Sequence, residues 1–593
     1  MKHNMMMCAV LWTALAEVGC VPTAMERRVA GPEIISGRTF TRAQKLAGKK
    51  GADGIWRADF ACNAALPPDA EGFTHVRSHA PQFFFENDWA EPARWPNEGW
   101  ASVETVVESG LTGRCLDSVL PDNPVKPGSF TVADDRPAGW DLSAGVYLSG
   151  YLKHDWAFER IRIESFTPSN RLIRLAGPTT YGIGGQSWGG YSRRRFFCSN
   201  IRAELDAPGE CFYDRARGQV EYIPPESGKG DAIYGVADTE PLLRLAGVSD
   251  RTYDGCVFAR GAGDGIVLVD CTNVIFRNCR VSDVGGDGFV IRGGSGVKVT
   301  GCSFRRLGRG GVIVHGGDRR RLVRAGHRVE GCDFADFARL NRTCSPAVSL
   351  GGCGIDVVRN RIHDAPHSGI LYGGNEHSIV SNELCRILLE TGDAGAIYTG
   401  RDPTSRGNVV AFNYIHDLGR GDAGVANTMG IYLDDCDCGD AVVFNRIVNV
   451  SRGMMLVGGQ DNPVIGNTFE NCTVGMSIDA RGTVWSDKWD SPTDKSWQMT
   501  RKVNEMPVAE EPWRSRYPRM VSYLQDHPKE PRYSPVRGNL FLGCEKCVIE
   551  LASEFAKNPE LLKVLDIRDN ICADLPDHPS ARPDTRIASG FHE

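Results

Sequence analysis

A four-residue phrase recurs along the chain: a small or polar residue, then Cys or Asn, then any residue, then an apolar one. The early copies are Gly255-Cys256-Val257-Phe258, Asn278-Cys279-Arg280-Val281, Gly301-Cys302-Ser303-Phe304 and Gly331-Cys332-Asp333-Phe334. Asn replaces Cys in Arg359-Asn360-Arg361-Ile362, Ser381-Asn382-Glu383-Leu384, Phe412-Asn413-Tyr414-Ile415, Phe444-Asn445-Arg446-Ile447 and Gly466-Asn467-Thr468-Phe469. Successive second positions lie 23, 23, 30, 28, 22, 31, 32 and 22 residues apart. A base period near 22 with occasional longer loops marks a stacked array in which each repeat leans on its neighbours. The expected fold is therefore all-β, a right-handed parallel β-helix.

The texture changes along the chain. Residues 1–24 read as a signal peptide, with an apolar run from Met5 to Ala16 and the small-residue stretch Ala14-Leu15-Ala16. Residues 30–215 lack the phrase and alternate like strands, as in Ile161-Arg162-Ile163 and Leu172-Ile173-Arg174-Leu175, which predicts a first coil plus an inserted β-sandwich. The array spans 216–480. A stretch rich in Trp and Pro, 481–535, interrupts it with one amphipathic helix near Arg519 to Leu524. The phrase returns at Gly538-Asn539-Leu540-Phe541 and Asp569-Asn570-Ile571, so 536–593 holds terminal coils.

Composition narrows the function. At 593 residues the chain exceeds one ordinary core. A formal charge of −6 argues against a general nucleic-acid binder, and no apolar run reaches the roughly 20 residues of a membrane span. Of the 20 cysteines, those in the phrase stand where Asn stands later, so they are expected to be free thiols buried as small hydrophobes. Cys436-Asp437-Cys438 and Cys544-Glu545-Lys546-Cys547 have no matching second pair, and neither a metal nor a cofactor is expected. With the leader, this places the protein in a secreted or periplasmic setting.

Polar residues crowd into four consecutive coils. Aligned on Gly369, Gly395, Gly430 and Gly453, these coils place acids, imidazoles and a guanidinium on one face, with neighbouring strands about 4.8 Å apart. Such a groove suits a polysaccharide or oligosaccharide, whose hydroxyls need many fixed partners. Cleaving a glycosidic bond needs two carboxyls roughly 5–9 Å apart. Asp393 and Asp434 are the candidate catalytic pair, with Asp402 as the fallback partner of Asp434. By that register an unbroken strand would hold Asp393 and Asp434 about 20 Å apart, so a bend is required. His367, His377, Asn375, Tyr398, Arg401, Asp402, Tyr432, Asp435, Gln460 and Asp461 are the expected substrate-binding residues. His416 reads as structural, and the basic turn Arg319-Arg320-Arg321 with Arg324 as a solvated loop. The insertion's Trp residues fit either sugar stacking or stapling.

At these residues the sequence resembles the β-helix proteins of glycoside hydrolase family 141. The likeness runs through Ile362-His363-Asp364, Pro366-His367-Ser368-Gly369-Ile370, Asp393-Ala394-Gly395-Ala396-Ile397-Tyr398, Gly400-Arg401-Asp402 and Gly430-Ile431-Tyr432-Leu433-Asp434-Asp435. It extends to Ala93-Arg94-Trp95-Pro96-Asn97-Glu98-Gly99, Leu205-Asp206-Ala207-Pro208-Gly209-Glu210 and Pro512-Trp513-Arg514-Ser515-Arg516-Tyr517-Pro518. The resemblance implies a β-helix interrupted by a β-sandwich and hydrolysis of a plant or algal polysaccharide, fucosidase- or xylanase-like, with catalytic aspartates at Asp393 and Asp434. The chain departs from the family in starting near Ile34-Ile35-Ser36-Gly37, without the usual opening coil. Two other readings stand beside it. A polysaccharide lyase would abstract a proton beside a uronate, with Asp434, Asp435 and Arg401 recast for that task. A non-catalytic carbohydrate-binding β-helix would scatter polar residues along the face instead of clustering them.

Overall fold

The computed structural model describes residues 33–573, except 64, 73, 75, 87, 111–125, 185–193, 227–231, 420–426, 493–495 and 546, together with 587–588. The proposed leader, 1–24, lies outside the described residues.

Three parallel sheets, each of 12 strands among the described residues, wind into a β-helix. The first runs from Glu33–Ser36 to Asp566–Arg568, the second from Thr39–Phe40 to Ile571–Ala573, and the third from Leu243–Ala246 to Ile587–Ala588. The recurring phrase is the corner between the first and second sheets. Its first residue is left-handed in every coil: φ is 60° at Gly255, 54° at Asn278, 61° at Gly331, 55° at Arg359, 58° at Ser381 and 56° at Phe412. Glycine and small polar residues tolerate that conformation best, which explains why the phrase opens as it does.

The second residue of the phrase points inward. Asn360, Asn382, Asn413, Asn445, Asn467, Asn539 and Asn570 form one continuous ladder, each amide nitrogen donating to the next Asn Oδ1 at 2.9–3.0 Å. Each Oδ1 also accepts a backbone N–H from the preceding coil, as Asn413 does from Asn382 at 2.9 Å. No polar atom of this buried spine needs water. Where Cys takes the place of Asn, at Cys256, Cys279, Cys302 and Cys332, the thiols are free and buried. The apolar fourth residue fills the core. Phe304, Phe334, Phe469 and Phe541 face Gly288, Gly311, Gly453 and Gly475 of the third sheet, where an added Cβ would come within 2.4–2.9 Å of a ring carbon.

The opening strands, Glu33–Ser36 and Thr39–Phe40, stack on Arg251–Asp254 and Val257–Gly261. Between them the chain builds a module of largely antiparallel sheets, the largest having nine strands. This module runs to Val236, not to residue 215. The hairpin of Glu210–Asp214 and Gln219–Tyr222 pairs with Trp56–Asp59, and Ile233–Val236 pairs with Gln44–Leu46 and Gln82–Phe84. These strands alternate as the coils do, so composition alone does not separate them. The module docks where Tyr151 Oη donates to Glu390 at 3.3 Å, beside the 2.5 Å Arg342–Glu390 ion pair.

The interruption holds short helices at Arg481–Val484, Met499–Asn504 and Trp513–Arg516 and a 3₁₀ helix at Pro518–Gln525. Trp489, Trp497 and Trp513 are buried with Cys436 and Cys438 and staple this segment to the coils. The basic turn is a docking point at Arg319 and Arg320, while Arg321 stays solvated as expected. Arg319 bonds Asn375, Asp402 and Thr404 at 2.7–3.1 Å, its carbonyl accepts from Trp513 Nε1 at 2.9 Å, and Arg320 reaches the carbonyl of Glu505.

Candidate active site

Strands Ala394–Gly400 and Thr428–Asp434 of the third sheet lie side by side. Tyr398 neighbours Tyr432, and Gly400 neighbours Asp434. Gly395 pairs with Met429, so Ala396 takes the place opposite Gly430. The glycine alignment is thus off by one in this coil, because the column asks for a small residue and Ala396 serves as well as Gly. The chain turns through left-handed conformations just beyond the strand ends, with φ 51° at Asp393, 65° at Arg401, 43° at Asp435 and 62° at Cys436. Asp393 and Asp434, at opposite ends of neighbouring strands, both line one cavity of about 600 Å³.

Four segments of the molecule contribute to this cavity. Leu371, Tyr398, Tyr432 and Met455 come from the third sheet, His154, Trp156 and Tyr181 from the N-terminal module, Arg481 and Trp485 from the interruption, and Glu554 from the helix Ser553–Lys557. Tyr398 Oη donates to Asp434 Oδ2 at 2.9 Å, and Tyr432 Oη donates to Asp393 Oδ1 at 3.3 Å. The two rings meet edge to face with centroids 5.4 Å apart. Each phenol therefore holds one carboxyl of the pair.

Behind them lies a charge cluster. Arg481 Nη1 donates to Asp434 Oδ1 at 3.2 Å and to Asp435 Oδ1 at 3.0 Å, and its Nη2 lies 3.1 Å from Asp479. Arg401 Nε donates to Asp435 Oδ2 at 2.5 Å, and the backbone N–H of Asp435 donates to Asp434 Oδ1 at 2.8 Å. Asp393, Asp434, Asp435 and Asp479 thus face two guanidinium groups. Four carboxylates against two cations in a buried site favour retention of a proton. Burial and the adjacent charge of Asp435 push Asp434 up to about 7. Burial raises Asp479 to about 6 against the pull of Arg481. Burial also raises Asp393, opposed by Arg481 and by the bond from Tyr432. Asp435 is gripped by both arginines. His367 lines the same cavity; burial lowers it to about 4, so its ring is neutral, and its Nδ1 has no hydrogen-bond partner.

The cavity therefore gathers Asp393, Asp434, Asp435, His367, Tyr398, Arg401 and Tyr432. Five other expected substrate-binding residues sit elsewhere, and each has a structural task. Asn375 is fully buried and donates to the carbonyls of Thr404 and Arg406. His377 occupies a second internal ladder, accepting from Ile355 N at Nδ1 while its backbone N–H donates to Asn408 Oδ1. Asp402 caps Thr404 and pairs with Arg319. Gln460 donates to the carbonyls of Asp526, His527 and Glu530, and Asp461 pairs with Arg406 and Arg519. These side chains are polar because they satisfy corners and anchor the interruption. Sequence reasoning missed Asp479, Arg481, His154, Trp156, Tyr181 and Glu554 at the cavity, while Trp485, one of the insertion's Trp residues weighed for sugar stacking, does line it. Asp479 alone carried a usable signal. It pairs with Val457 one coil beyond Leu433 and Asp434, at the same strand end.

The sequence profile described as "Right handed beta helix region" matches residues 243–324 and 321–474. The chain is a right-handed parallel β-helix protein. No curated protein matches its sequence. Among solved structures, this β-helix is similar to one described as a glycoside hydrolase, with 16% identity, coverage of 73% of this chain and 82% of the other, and a TM-score of 0.51. A PL6 family polysaccharide lyase from Pseudopedobacter saltans matches at 11% identity over 59% of this chain and 93% of its own, with a TM-score of 0.30. The complex of XylC with xylose matches at 9% identity over 91% and 76%, with a TM-score of 0.36.

Proposed function

We propose that this β-helix is a secreted or periplasmic glycoside hydrolase acting on a neutral sugar unit of a plant or algal polysaccharide or oligosaccharide, fucosidase- or xylanase-like. Asp434 would be the proton donor and Asp393 the base or nucleophile. The observation that carries this reading is the pairing of the two carboxyls in one aromatic-walled cavity with an excess of acid over guanidinium. Asp434 then holds a proton near neutral pH and can deliver it to a leaving glycosidic oxygen. Asp393, held by Tyr432, is the group that acts on the sugar ring or on a water. Trp156 and Tyr181 supply aromatic surface of the kind on which sugar rings rest. The same charge excess disfavours a uronate in this cavity, since a further carboxylate would meet four acids and two arginines, and this weighs against a lyase.

The test sets wild type, Asp393→Asn and Asp434→Asn against aryl glycosides and against pectic, xylan and fucosylated polymers. We expect reducing ends without near-ultraviolet product absorbance, and about 10²–10⁴-fold lower turnover in each variant. Full activity in either variant removes that residue from the pair. An unsaturated, ultraviolet-absorbing product establishes a lyase instead.

A further inference from the structure

A second chemical cluster lies on the outer face of the second sheet, away from the cavity. Strands Glu383–Cys385 and Tyr414–His416 are neighbours, with Cys385 beside His416. Leu384 and Ile415 point into the core and are fully buried, so the residues flanking them point outward. Cys385 differs from the thiols of the repeating phrase in sitting on this outer face. There it is covered by Arg386, whose Nη1 is 3.5 Å from Sγ.

One ligand atom each from Glu383, Cys385 and His416 lies within 4.8 Å of the other two. Glu383 Oε1 is 3.5 Å from His416 Nε2, a tetrahedral edge being about 3.4 Å for bonds near 2.0–2.1 Å. The histidine is already oriented. Its Nδ1 is 2.8 Å from Asp417 Oδ2, and Asp417 Oδ1 accepts from Asn449 at 3.1 Å. A carboxylate on Nδ1 fixes the tautomer that presents the Nε2 lone pair, as the outer partners of zinc-bound histidines do. That Nε2 is buried with no hydrogen-bond partner. Arg361 lies 3.7 Å from Oε2 of Glu383, leaving Oε1 toward the cluster.

We propose that Glu383, Cys385 and His416 bind a divalent transition metal of the zinc class through one oxygen, one sulfur and one nitrogen, with water in the fourth position. The mixed donor set selects zinc or cobalt over calcium and magnesium, which take oxygen ligands. Binding converts the thiol to a thiolate and releases its proton to solvent. The metal would clip two adjacent coils on a face where only short strands pair.

The experiment is a Co(II) titration of the full-length, chelator-stripped protein, followed by Zn(II) competition and far-UV circular dichroism of each variant. The expected result is one equivalent of bound Co(II) with intense thiolate-to-metal absorption in the near ultraviolet, displaced by Zn(II). Cys385→Ser should abolish that band. His416→Gln should weaken binding at least about tenfold, and Asp417→Asn by about 10–100-fold. If Cys385→Ser does not fold, the two other variants decide. Absence of a thiolate band in wild type overturns the proposal, as does Co(II) binding that is unchanged in His416→Gln and Asp417→Asn.

Discussion

At the scale of single residues, two positions carry separable physics. At Gly331 φ is 61° and an added Cβ would meet nothing within 4 Å, so Gly331→Ala isolates the cost of a left-handed backbone. It should lower stability by about 1–2 kcal/mol, read as a shifted denaturant midpoint at constant slope. Asp434 is the other position. Turnover that depends on its proton should fall as pH rises through about 7, because the acid form is lost there. Asp434→Asn should erase that limb along with the activity, whereas Asp479→Asn, which removes a neighbouring acid, should move the limb to lower pH. A pH–rate profile of the two variants separates proton donor from charge neighbour.

At the scale of the element, the asparagine ladder behaves as one unit. Asn413 accepts from Asn382 through both backbone and side chain and donates to Asn445 and to the carbonyl of Ile379. Asn413→Leu leaves several buried polar groups without partners, each worth about 1–3 kcal/mol. A loss of about 3 kcal/mol or more in chemical denaturation is expected, and Asn570→Leu, which strands Asn539 and the carbonyl of Val536 in the same way, should cost nearly as much. Most of the helix was legible because every coil must repeat the same left-handed corner and the same inward side chain, and both requirements write themselves into four residues. The site was legible where it follows the strand column and its ends, at His367, Tyr398, Arg401, Tyr432 and the acids beside them. Arg481, Trp156 and Tyr181 arrive through docking between distant segments, and no periodicity reports that. Asn375, His377 and Gln460 misled because a side chain satisfying a corner and one meeting a ligand are equally polar in sequence.

At the scale of the whole molecule, buried acids shape the response to pH. Glu159 is raised to about 7, Asp287 and Asp479 to about 6 and Asp434 to about 7, chiefly by burial. Each binds its proton more tightly folded than unfolded, so each adds stability at low pH that disappears as pH rises from the ordinary carboxylate range to its folded value. His367 and His377, both lowered to about 4 by burial, act oppositely and add stability as pH rises from there to the ordinary histidine value. Above that value only the acids still titrate. The melting temperature should therefore peak in mildly acidic solution and decline toward pH 8, and a calorimetric series that rises steadily to pH 8 would contradict this. The interruption that anchors to Arg319, Glu376 and Asp461 has a mechanical consequence as well. A bare solenoid pulled at its end unravels turn by turn, each turn of about 22 residues paying out roughly 70 Å of thread. Here the strap ties one turn to others several windings away, so a pull from the C-terminal side meets a knot before it reaches the cavity, and the turns that line it come apart together or not at all.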